Sequence, residues 1–281
     1  MKICNEIEQV RRTSRTARCE GKRIGLVPTM GALHEGHLSL VRAAKNRGDV
    51  VVVSIFVNPT QFGPNEDFSK YPRTLERDCE LLEKEGVDLV FAPSVNEMYP
   101  DGAVTYVTVE GMSDRLCGKS RPGHFRGVTT VVSKLFNIVE PDLAFFGQKD
   151  AAQAAVIKRM VRDLNMPVEI VVCPIIREPG GLAMSSRNAY LDGRQRKSAL
   201  VLSRSLEAVK QAFNQGERNP AALADAGKAI LSEEPSVRLD YFQMVNPETL
   251  EPVKQLNGEV LVAIAAYVGT TRLIDNLVLT A

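Results

Sequence analysis

The stretch Val50-Val-Val-Val-Ser-Ile-Phe-Val57 is apolar at all but one position, and this pattern decides the fold class. A strand with one solvated face alternates apolar and polar residues, whereas a strand covered on both faces is apolar throughout. The stretch therefore predicts a buried strand of a parallel sheet that has helices on both of its faces.

Strand and helix patterns alternate on either side of this stretch. Further strands are predicted at Ile24–Val27, Leu89–Phe91, Val104–Val109, Leu143–Phe146 and Val168–Val172. Helices are predicted at Gly36–Asn46, Leu75–Glu85, Thr129–Val139 and Ala151–Leu164. This alternation predicts an α/β domain, because a crossover helix is the usual link between parallel strands.

The pattern changes after Glu178-Pro179-Gly180-Gly181. Two helical stretches and then three strand-like stretches follow: Arg194–Phe213, Pro220–Leu231, Val237–Val245, Val260–Tyr267 and Arg272–Leu279. Helices followed by a run of strands indicate a separate, smaller α+β domain. We therefore expect a first domain at residues 1–176 and a second at 177–281.

Composition excludes several classes of protein. The 35 Lys and Arg residues balance 34 Asp and Glu residues, so no net field favours nucleic acid or a membrane surface. The longest apolar run is too short for a bilayer, and no apolar segment typical of an export signal follows the first arginines. Five scattered cysteines without a Cys-x-x-Cys pair are typical of a reduced, cytoplasmic protein.

Ligands of open parallel sheets bind outside the carboxyl ends of the strands. Four polar or glycine-rich segments follow predicted strands in this chain: Thr29–His37, Asn58–Gly63, Gly147–Asp150 and Pro174–Arg187. Because these strand ends share one edge of the sheet, we expect the four segments to meet at a single crevice.

Two of the three histidines, His34 and His37, lie in one glycine-containing turn where a strand passes into a helix. A helix N-terminus carries unpaired N–H groups and attracts anions, and imidazoles can donate hydrogen bonds to phosphate oxygens. The His-Glu-Gly-His spacing differs from the His-Glu-x-x-His spacing of zinc enzymes. The pair therefore predicts a phosphate site rather than a zinc site.

Polar residues of the other segments suit the same chemistry. Lys149 is a mobile point charge, and Arg187 can bind phosphate oxygens through two N–H groups. Asp150 is a candidate helix cap that forms a capping box with Gln153, either alone or together with a ligand contact. The sequence lacks the Gly-x-x-x-x-Gly-Lys-Ser/Thr and Gly-x-Gly-x-x-Gly motifs, which disfavours a P-loop enzyme and a dinucleotide oxidoreductase.

The stretch from Gly118 to Gly127 combines glycines and cations with His124. It is either a solvated surface loop or a mobile lid that closes over phosphates and excludes water. The roles of Arg121 and His124 stay open at this stage.

Several motifs resemble one family. His34-Glu-Gly36-His37 resembles the His-x-Gly-His signature of nucleotidyl-transferring enzymes, and Met184-Ser185-Ser186-Arg187 resembles the Lys-Met-Ser-Lys-Ser-like loop that accompanies it. The strings PTMGALHEGH, NPTQFG, YPRT, MYPDG, RPGHFRGV, FFGQKD and MSSRN, in this order, resemble the pantoate–β-alanine ligase family. The match is specific from about Gly25 to Asn188 and looser to the C-terminus.

The resemblance implies a magnesium-dependent ligase that condenses D-pantoate with β-alanine and converts ATP to AMP and pyrophosphate. A carboxylate needs activation before an amine can attack it, which favours a pantoyl adenylate intermediate. The resemblance also implies a homodimer, in which each chain has a Rossmann-like ATP domain and a smaller C-terminal covering domain.

Site residues carried over from the resemblance fall into three groups. Those assigned to ATP are Met30, Gly31, Ala32, Leu33, His34, Glu35, Gly36, His37, Gly147, Gln148, Lys149, Asp150, Ile176, Met184, Ser185, Ser186 and Arg187. Pantoate is assigned to Gln61 and Gln153, with Gln61 also near β-alanine. The catalytic group is His37 as the acid, with His34, Lys149 and Arg187. The magnesium ligands stay open, with Asp78 and Asp150 as candidates.

Two other functions are compatible with the motifs. One is a nucleotidyltransferase that adds the nucleotide to a phosphate or alcohol acceptor and then stops. The other is a nucleotide-binding module without catalytic activity. A requirement for β-alanine in the second half-reaction distinguishes the ligase from both.

Overall fold

Two β-sheets organise the chain in the computed structural model, which describes residues 1–64 and 66–281. The strands of the first sheet are β1 (Lys2–Cys4), β2 (Ile24–Thr29), β3 (Val50–Ile55), β4 (Leu89–Phe91), β5 (Leu143–Gly147) and β6 (Glu169–Cys173). Those of the second sheet are β7 (Val237–Val245), β8 (Glu259–Val268) and β9 (Thr271–Thr280).

Helices connect the strands of the first sheet and cover the second. They are α1 (Ile7–Cys19), α2 (Glu35–Lys45), α3 (Leu75–Lys84), α4 (Val95–Met98), α5 (Cys117–Ser120), α6 (His124–Val139), α7 (Ala151–Asp163), α8 (Gly193–Asn214) and α9 (Pro220–Ser232). Short 3₁₀ turns lie at Pro59–Gln61, Gln148–Asp150 and Ser186–Tyr190. Within the described residues, no helix is both long enough and apolar enough to cross a membrane.

The first sheet is parallel, with the strand order β1-β4-β3-β2-β5-β6. The chain runs outward from β2 through β3 to β4, then crosses back to place β5 on the other side of β2. The order therefore reverses between β2 and β5, and a crevice opens beyond their carboxyl ends. The segments that begin at Met30 and at Gln148 leave the sheet on the two sides of this crevice.

The apolar stretch that starts at Val50 is buried on both faces, as predicted. Val52 packs in a core with residues of α1, α6 and α7, while Val51 and Val53 pack in a second core with residues of α2 and α3. Alternate residues of β3 thus enter opposite layers, which explains why the strand needs apolar side chains at successive positions. The prediction of a parallel sheet between helices is confirmed.

The predicted strand at Val104–Val109 is wrong. This segment is extended but lies outside both sheets, because its backbone bonds to side chains of α6 instead. The N–H of Val107 donates to Thr130 Oγ1 at 3.0 Å, and the C=O of Val107 accepts from Thr129 Oγ1 at 2.6 Å. The same helix begins at His124, before the predicted start at Thr129.

The second sheet is antiparallel, with the strand order β7-β8-β9. Val262 and Ile264 pack with α8 and α9, whereas Ala263 faces the core of the first sheet. Residues 177–281 contain this whole sheet and its helices. The small α+β unit is confirmed as part of the fold, and the domain boundary at Ile176 stays a prediction.

Candidate active site

A cavity of about 210 Å³ lies at the carboxyl edge of the first sheet, where the order of strands reverses. Each of the four segments expected to converge contributes to its wall. Representative lining residues are His34, His37, Gln61, Lys149, Ile176, Met184, Ser186 and Arg187. The convergence predicted from strand ends is therefore present in the structure.

His34 and His37 form the start of α2. His34 is the N-cap, and its Nδ1 accepts from the Gly36 N–H at 3.1 Å, while His37 Nδ1 accepts from the His34 N–H at 3.4 Å. The ring centroids are 4.1 Å apart. Because each Nδ1 is an acceptor, a neutral ring carries its proton on Nε2. Both residues line the cavity, so these Nε2–H groups are available as hydrogen-bond donors to a ligand.

Both imidazoles are neutral near pH 7. Removal from water and the nearby charge of Lys149 lower the pKa of His34 to about 4. Removal from water, followed by the charges of His34 and Lys149, lowers the pKa of His37 to about 3. Desolvation and the charge of Arg121 lower the pKa of His124 to about 4. All three histidines therefore resist protonation in the free protein.

We expect the Cε1–H protons of the three imidazoles to keep the chemical shifts of the neutral ring from pH 8 down to about pH 5. Histidines of the unfolded chain take up protons near pH 6.5, where these three do not. The unfolded chain therefore binds more protons than the folded protein below about pH 6.5. The free energy of unfolding is expected to fall as the pH is lowered from 6.5 towards 4 and then 3. A proton NMR titration tests the neutral state of the rings, and thermal unfolding measured across this pH range tests the change in stability. A midpoint near 6.5 for His34 or His37 would contradict the assignment.

Asp78 holds the loop that precedes His34. Its carboxylate is buried and accepts from the N–H groups of Ala32 and Leu33, each at 2.8 Å. These bonds fix a left-handed turn in which φ is +81° at Gly31 and +49° at Ala32. A Cβ at Gly31 would lie 3.0 Å from Asp78 Oδ2. Because both oxygens of Asp78 are engaged by the loop, the contacts argue against its candidate role as a magnesium ligand.

The turn after β3 fixes the amide of Gln61. Asn58 Nδ2 donates to Gln61 Oε1 at 3.1 Å, and Gln61 Nε2 lies 3.0 Å from Met30 Sδ. Asn58 is itself buried and accepts from Tyr99 OH at 3.0 Å. The sequence did not indicate a role for Asn58, because an Asn-Pro pair is common in turns that have no function.

Arg121 and His124 hold the same turn from the other side. His124 Nδ1 lies 2.9 Å from the carbonyl oxygen of Gln61, and Arg121 lies 3.0 Å from His124 Nε2. Arg121 also makes a two-point ion pair with Glu66. The stretch from Gly118 to Gly127 is therefore not a solvated loop. It forms α5 and the first turn of α6, and a lid movement stays a prediction.

Gly127 allows α6 to approach this turn. A Cβ at Gly127 would lie 2.3 Å from the carbonyl oxygen of Thr60, whereas a Cβ at Gly193 would meet open space. We therefore expect Gly127→Ala to destabilise the protein by about 1–3 kcal/mol and to raise the KM for a substrate bound at Gln61, because the Gln61 turn must shift. The matched substitution Gly193→Ala should change neither. Denaturant unfolding and steady-state kinetics check both variants, and equal behaviour would contradict this packing.

The segment after β5 carries Lys149 and Asp150. Lys149 Nζ lies 3.6 Å from Asp150 Oδ1. Asp150 occupies the N-cap of α7, but its side chain makes no cap hydrogen bond, so the predicted capping box with Gln153 is wrong. The backbone explains this, because Gln148–Asp150 continues directly into α7 as a 3₁₀ turn. Gln153 lines the cavity, and its amide is available to a ligand.

The Met-Ser-Ser-Arg turn meets the histidine loop directly. Ser186 Oγ donates to the carbonyl oxygen of Ala32 at 3.1 Å, and the Met184 N–H donates to the carbonyl oxygen of Ile176 at 2.9 Å. The first of these contacts joins two parts of the chain that are 154 residues apart in sequence. The two segments are therefore close enough for one nucleotide to touch both.

Arg187 makes a two-point ion pair with Asp67, with both N–O distances at 3.0 Å. Desolvation opposes the charge of Arg187, but the hydrogen bonds and charge of Asp67 outweigh it, and the pKa of the guanidinium is raised. Arg187 is thus positively charged and faces the cavity. Asp67 was missed by sequence reasoning, since nothing local to it indicates its distant partner.

The residues assigned to ATP divide by position. Those that line the cavity are Met30, His34, Gly36, His37, Gly147, Lys149, Asp150, Ile176, Met184, Ser185, Ser186 and Arg187. The others lie behind the wall: Gly31, Ala32 and Leu33 in the loop held by Asp78, Glu35 in an exposed ion pair with Arg42, and Gln148 against the second sheet.

A cleft of about 950 Å³ adjoins the cavity and lies between the two sheets. Seven residues line both spaces: Arg121, His124, Lys149, Asp150, Gln153, Ser185 and Arg187. Together they have the size of sites that hold nucleotides and other small ligands. The shared residues place cations and hydroxyl groups where the two spaces join, so this junction suits a polyphosphate.

Comparisons with known proteins agree with this geometry. The sequence profile described as Pantoate-beta-alanine ligase matches residues 2–278. A protein named pantothenate synthetase from Koribacter versatilis is 59% identical over 281 residues, which cover 100% of this chain and 97% of that protein. Its counterpart from Acidobacterium capsulatum is 64% identical over 258 residues, covering 92% of this chain and 86% of that protein.

Solved structures show the same fold. Pantothenate synthetase from Thermus thermophilus is 46% identical, with a TM-score of 0.94 and coverage of 99% of both chains. The pantoate-beta-alanine ligase from Francisella tularensis, complexed with beta-gamma ATP and beta-alanine, is 38% identical, with a TM-score of 0.80 and coverage of 99% of this chain and 97% of that one. The chain therefore belongs to the pantoate–beta-alanine ligase family.

Proposed function

We propose that this pantoate–β-alanine ligase works in two steps through a pantoyl adenylate, at the cavity between the histidine loop and the Met-Ser-Ser-Arg turn. In the first step a carboxylate oxygen of D-pantoate attacks the α-phosphorus of ATP, and pyrophosphate leaves. In the second step the amine of β-alanine attacks the carbonyl carbon, and AMP leaves with the bridging oxygen. The products are pantothenate, AMP and pyrophosphate, with a proton released from the amine.

The observation that carries this proposal is the hydrogen bond from Ser186 Oγ to the carbonyl oxygen of Ala32, which joins the Met-Ser-Ser-Arg turn to the histidine loop. It brings the donors of α2 together with the hydroxyl groups and the one cation, Arg187, of the Met-Ser-Ser-Arg turn around one space. Negative charge builds on the α-phosphate and on pyrophosphate in the first step, and fixed donors aimed at that charge lower the barrier. The Francisella tularensis ligase, which was solved in complex with beta-gamma ATP and beta-alanine, supports the choice of ATP and β-alanine as substrates here.

Each candidate catalytic residue has a role suited to its charge state. His34 and His37 are neutral in the free protein, so we assign them as Nε2–H donors to phosphate oxygens. Bound triphosphate raises an imidazole pKa, which would let His37 act as an acid once ATP is present. Lys149 contributes a charge, and Ser185 and Ser186 contribute hydroxyl donors.

Arg187 would exchange partners when ATP binds. In the free protein its Nε and one of its two terminal nitrogens donate to Asp67. A triphosphate offers the same planar two-point acceptor geometry with more negative charge, so it can replace the carboxylate. The loop that carries Asp67 would then be released from the turn.

The wall of the cavity also suits D-pantoate. Gln61 and Gln153 offer amide donors and acceptors for its hydroxyl groups and carboxylate. Apolar side chains of α6 and β5, including Val128, Leu135 and Phe146, line the same space and can face its two methyl groups. We therefore assign Gln61 and Gln153 to pantoate, with Gln61 nearest the incoming β-alanine.

Mg²⁺ belongs to the proposal as a companion of ATP. The described residues contain no cluster of three or more His, Cys, Asp or Glu side chains that could hold a metal ion. This fits Mg²⁺, which is usually held by substrate phosphates and one or two carboxylates. Asp150 is the carboxylate of this cavity that is free of backbone bonds, so it would hold the ion with the phosphates. There the ion would neutralise phosphate charge.

Pyrophosphate release tests the proposed order of steps. With ATP and Mg²⁺, release should require D-pantoate and should occur as a single-turnover burst before any β-alanine is added. Release without pantoate would indicate simple ATP hydrolysis. A requirement for β-alanine before the burst, or formation of a stable nucleotide adduct that ignores β-alanine, would overturn the proposal.

We also propose a cytoplasmic homodimer. The five cysteines are free thiols, as expected in a reducing compartment. The extended segment that includes Val104 and Tyr106 exposes 81% and 51% of these residues, and an exposed apolar segment outside a sheet suits a partner chain. Sedimentation equilibrium should give about twice the mass of 30.9 kDa. A mass that stays at one chain would contradict the dimer.

A further inference from the structure

Strand β9 presents two neighbouring side chains to the loops of the first sheet. Asp275 and Asn276 are each only 3% exposed. Asp275 makes a two-point ion pair with Arg177, at 2.6 and 2.9 Å, directly after Ile176. Asn276 contacts Gln148 and Lys149, after β5. One strand of the second sheet therefore holds two of the segments that line the cavity.

The amide of Asn276 is fully used in this contact. Its Oδ1 accepts from Gln148 Nε2 at 3.0 Å. Its Nδ2 donates to the carbonyl oxygens of Gln148 and Lys149, each at 2.9 Å. The N–H of Asn276 donates to Asp275 Oδ1 at 2.8 Å, which fixes the residue from behind. Asparagine offers both donors and the acceptor at this length, whereas aspartate would turn an oxygen towards two carbonyl oxygens.

We propose that Asn276 is a positioning residue for the first step, which sets the backbone of Lys149 and so aims its ammonium group at the polyphosphate. The Lys149 backbone sits in a short 3₁₀ turn, and β5 ends just before it. The two bonds that Asn276 donates, and the one it accepts from Gln148, tie this turn to β9. The inference rests on the proposed role of Lys149 and gives the second sheet a part in the reaction beyond covering the site.

The backbone of Lys149 determines where the ammonium group at the end of its long side chain can reach. A shift of this backbone therefore moves the charge relative to the polyphosphate. Misplacement of a catalytic group by about 1 Å can lower a rate as much as 10²-fold. Loss of Asn276 leaves two carbonyl oxygens and the Gln148 amide without their partner, so the turn is free to shift. The expected effect is weaker ATP binding and a lower kcat, both through Lys149.

A double-mutant cycle tests this coupling. The variants are Asn276→Ala, Lys149→Ala and the pair together, with Asn246→Ala as the control. Asn246 caps a turn in the second sheet by accepting from the N–H groups of Glu248 and Thr249, away from the cavity. The Kd for ATP is measured by calorimetry, kcat by pyrophosphate release, and the thermal midpoint for each variant. Asn276→Ser, which keeps one donor, replaces Asn276→Ala if that variant does not fold.

We expect Asn276→Ala to weaken ATP binding or lower kcat by about tenfold in the natural background and by less than about twofold when Lys149 is already alanine. Asn246→Ala should lower the thermal midpoint alone. Equal losses in both backgrounds, or no loss in the natural one, would overturn the inference. Should the natural protein bind ATP but release no pantoate-dependent pyrophosphate, the proposed function fails, while the binding cycle still decides the role of Asn276.

Discussion

Replacing His37 by alanine is expected to lower kcat for pantoate-dependent pyrophosphate release about 10²–10³-fold, the usual cost of removing one donor aimed at developing charge. The Nδ1 of His37 accepts from the His34 N–H, so its Nε2–H is left to face the cavity. Alanine removes that donor and also the acceptor that helps to start α2. Stopped-flow measurement of pyrophosphate under single-turnover conditions gives the rate of the chemical step.

The loss of the acceptor for the His34 N–H must be separated from the loss of the Nε2–H donor. Loss of a capping contact costs about 0.5–2 kcal/mol, which a shift in the thermal midpoint reports. His37→Gln keeps an N–H donor in the side chain and should recover part of kcat. Lys45→Ala, an exposed change at the far end of the same helix, should leave kcat unchanged. A rate for His37→Ala within about threefold of the natural protein would refute the role of the Nε2–H group.

Replacing Lys149 by alanine is expected to have an effect of similar size, about 10²–10³-fold on kcat/KM for ATP, because a charge that faces phosphate oxygens is lost from a poorly solvated space. The side chain of Lys149 is 21% exposed and lines both the cavity and the adjoining cleft. The charge also lowers the pKa of His34 and of His37, after burial in each case. Its removal should therefore raise both pKa values.

Two measurements check this variant independently. Steady-state kinetics with varied ATP give the loss in kcat/KM, and proton NMR of the imidazoles gives the direction of the pKa change. Lys158→Ala, an exposed lysine on α7, serves as the matched control and should change neither quantity. Normal kinetics in Lys149→Ala, or histidine pKa values that fall, would contradict the placement of this charge beside the imidazoles.

The sequence could predict the sheet and the crevice for a simple geometric reason. A strand between two helical layers must be apolar on both faces, so Val51, Val52 and Val53 reveal their surroundings by composition alone. Parallel strands also end at one edge, so the polar residues that follow them are brought together whatever the details of the loops. The segments that contain His34 and Ser186 lie close together because both follow strands that end at this edge.

Features that depend on distant partners could not be predicted. The segment around Val107 has the composition of a strand, but the hydroxyl groups of Thr129 and Thr130 take its backbone bonds. Helix α1 was missed because, among its many charged residues, its buried stripe is only Val10, Ser14 and Ala17.

The residues that contact the site residues could not be predicted from local sequence patterns either. Asp67 lies 120 residues from Arg187, and Asn276 lies 128 residues from Gln148. Neither pair has a spacing that a motif could reveal. The contacts of Asp78 could not be predicted either, because nothing near it in the sequence indicates that its carboxylate accepts hydrogen bonds from the N–H groups of Ala32 and Leu33.

In the proposed first step a carboxylate oxygen attacks the α-phosphorus of ATP held between the histidine loop and the Met-Ser-Ser-Arg turn. Pantoate labelled with ¹⁸O in its carboxylate tests this directly, with the products analysed by mass spectrometry and ³¹P NMR after turnover with ATP, Mg²⁺ and β-alanine. An attack at the α-phosphorus transfers one labelled oxygen to AMP and leaves pyrophosphate unlabelled. AMP without label, or label in inorganic phosphate together with ADP, would show that the reaction takes another route.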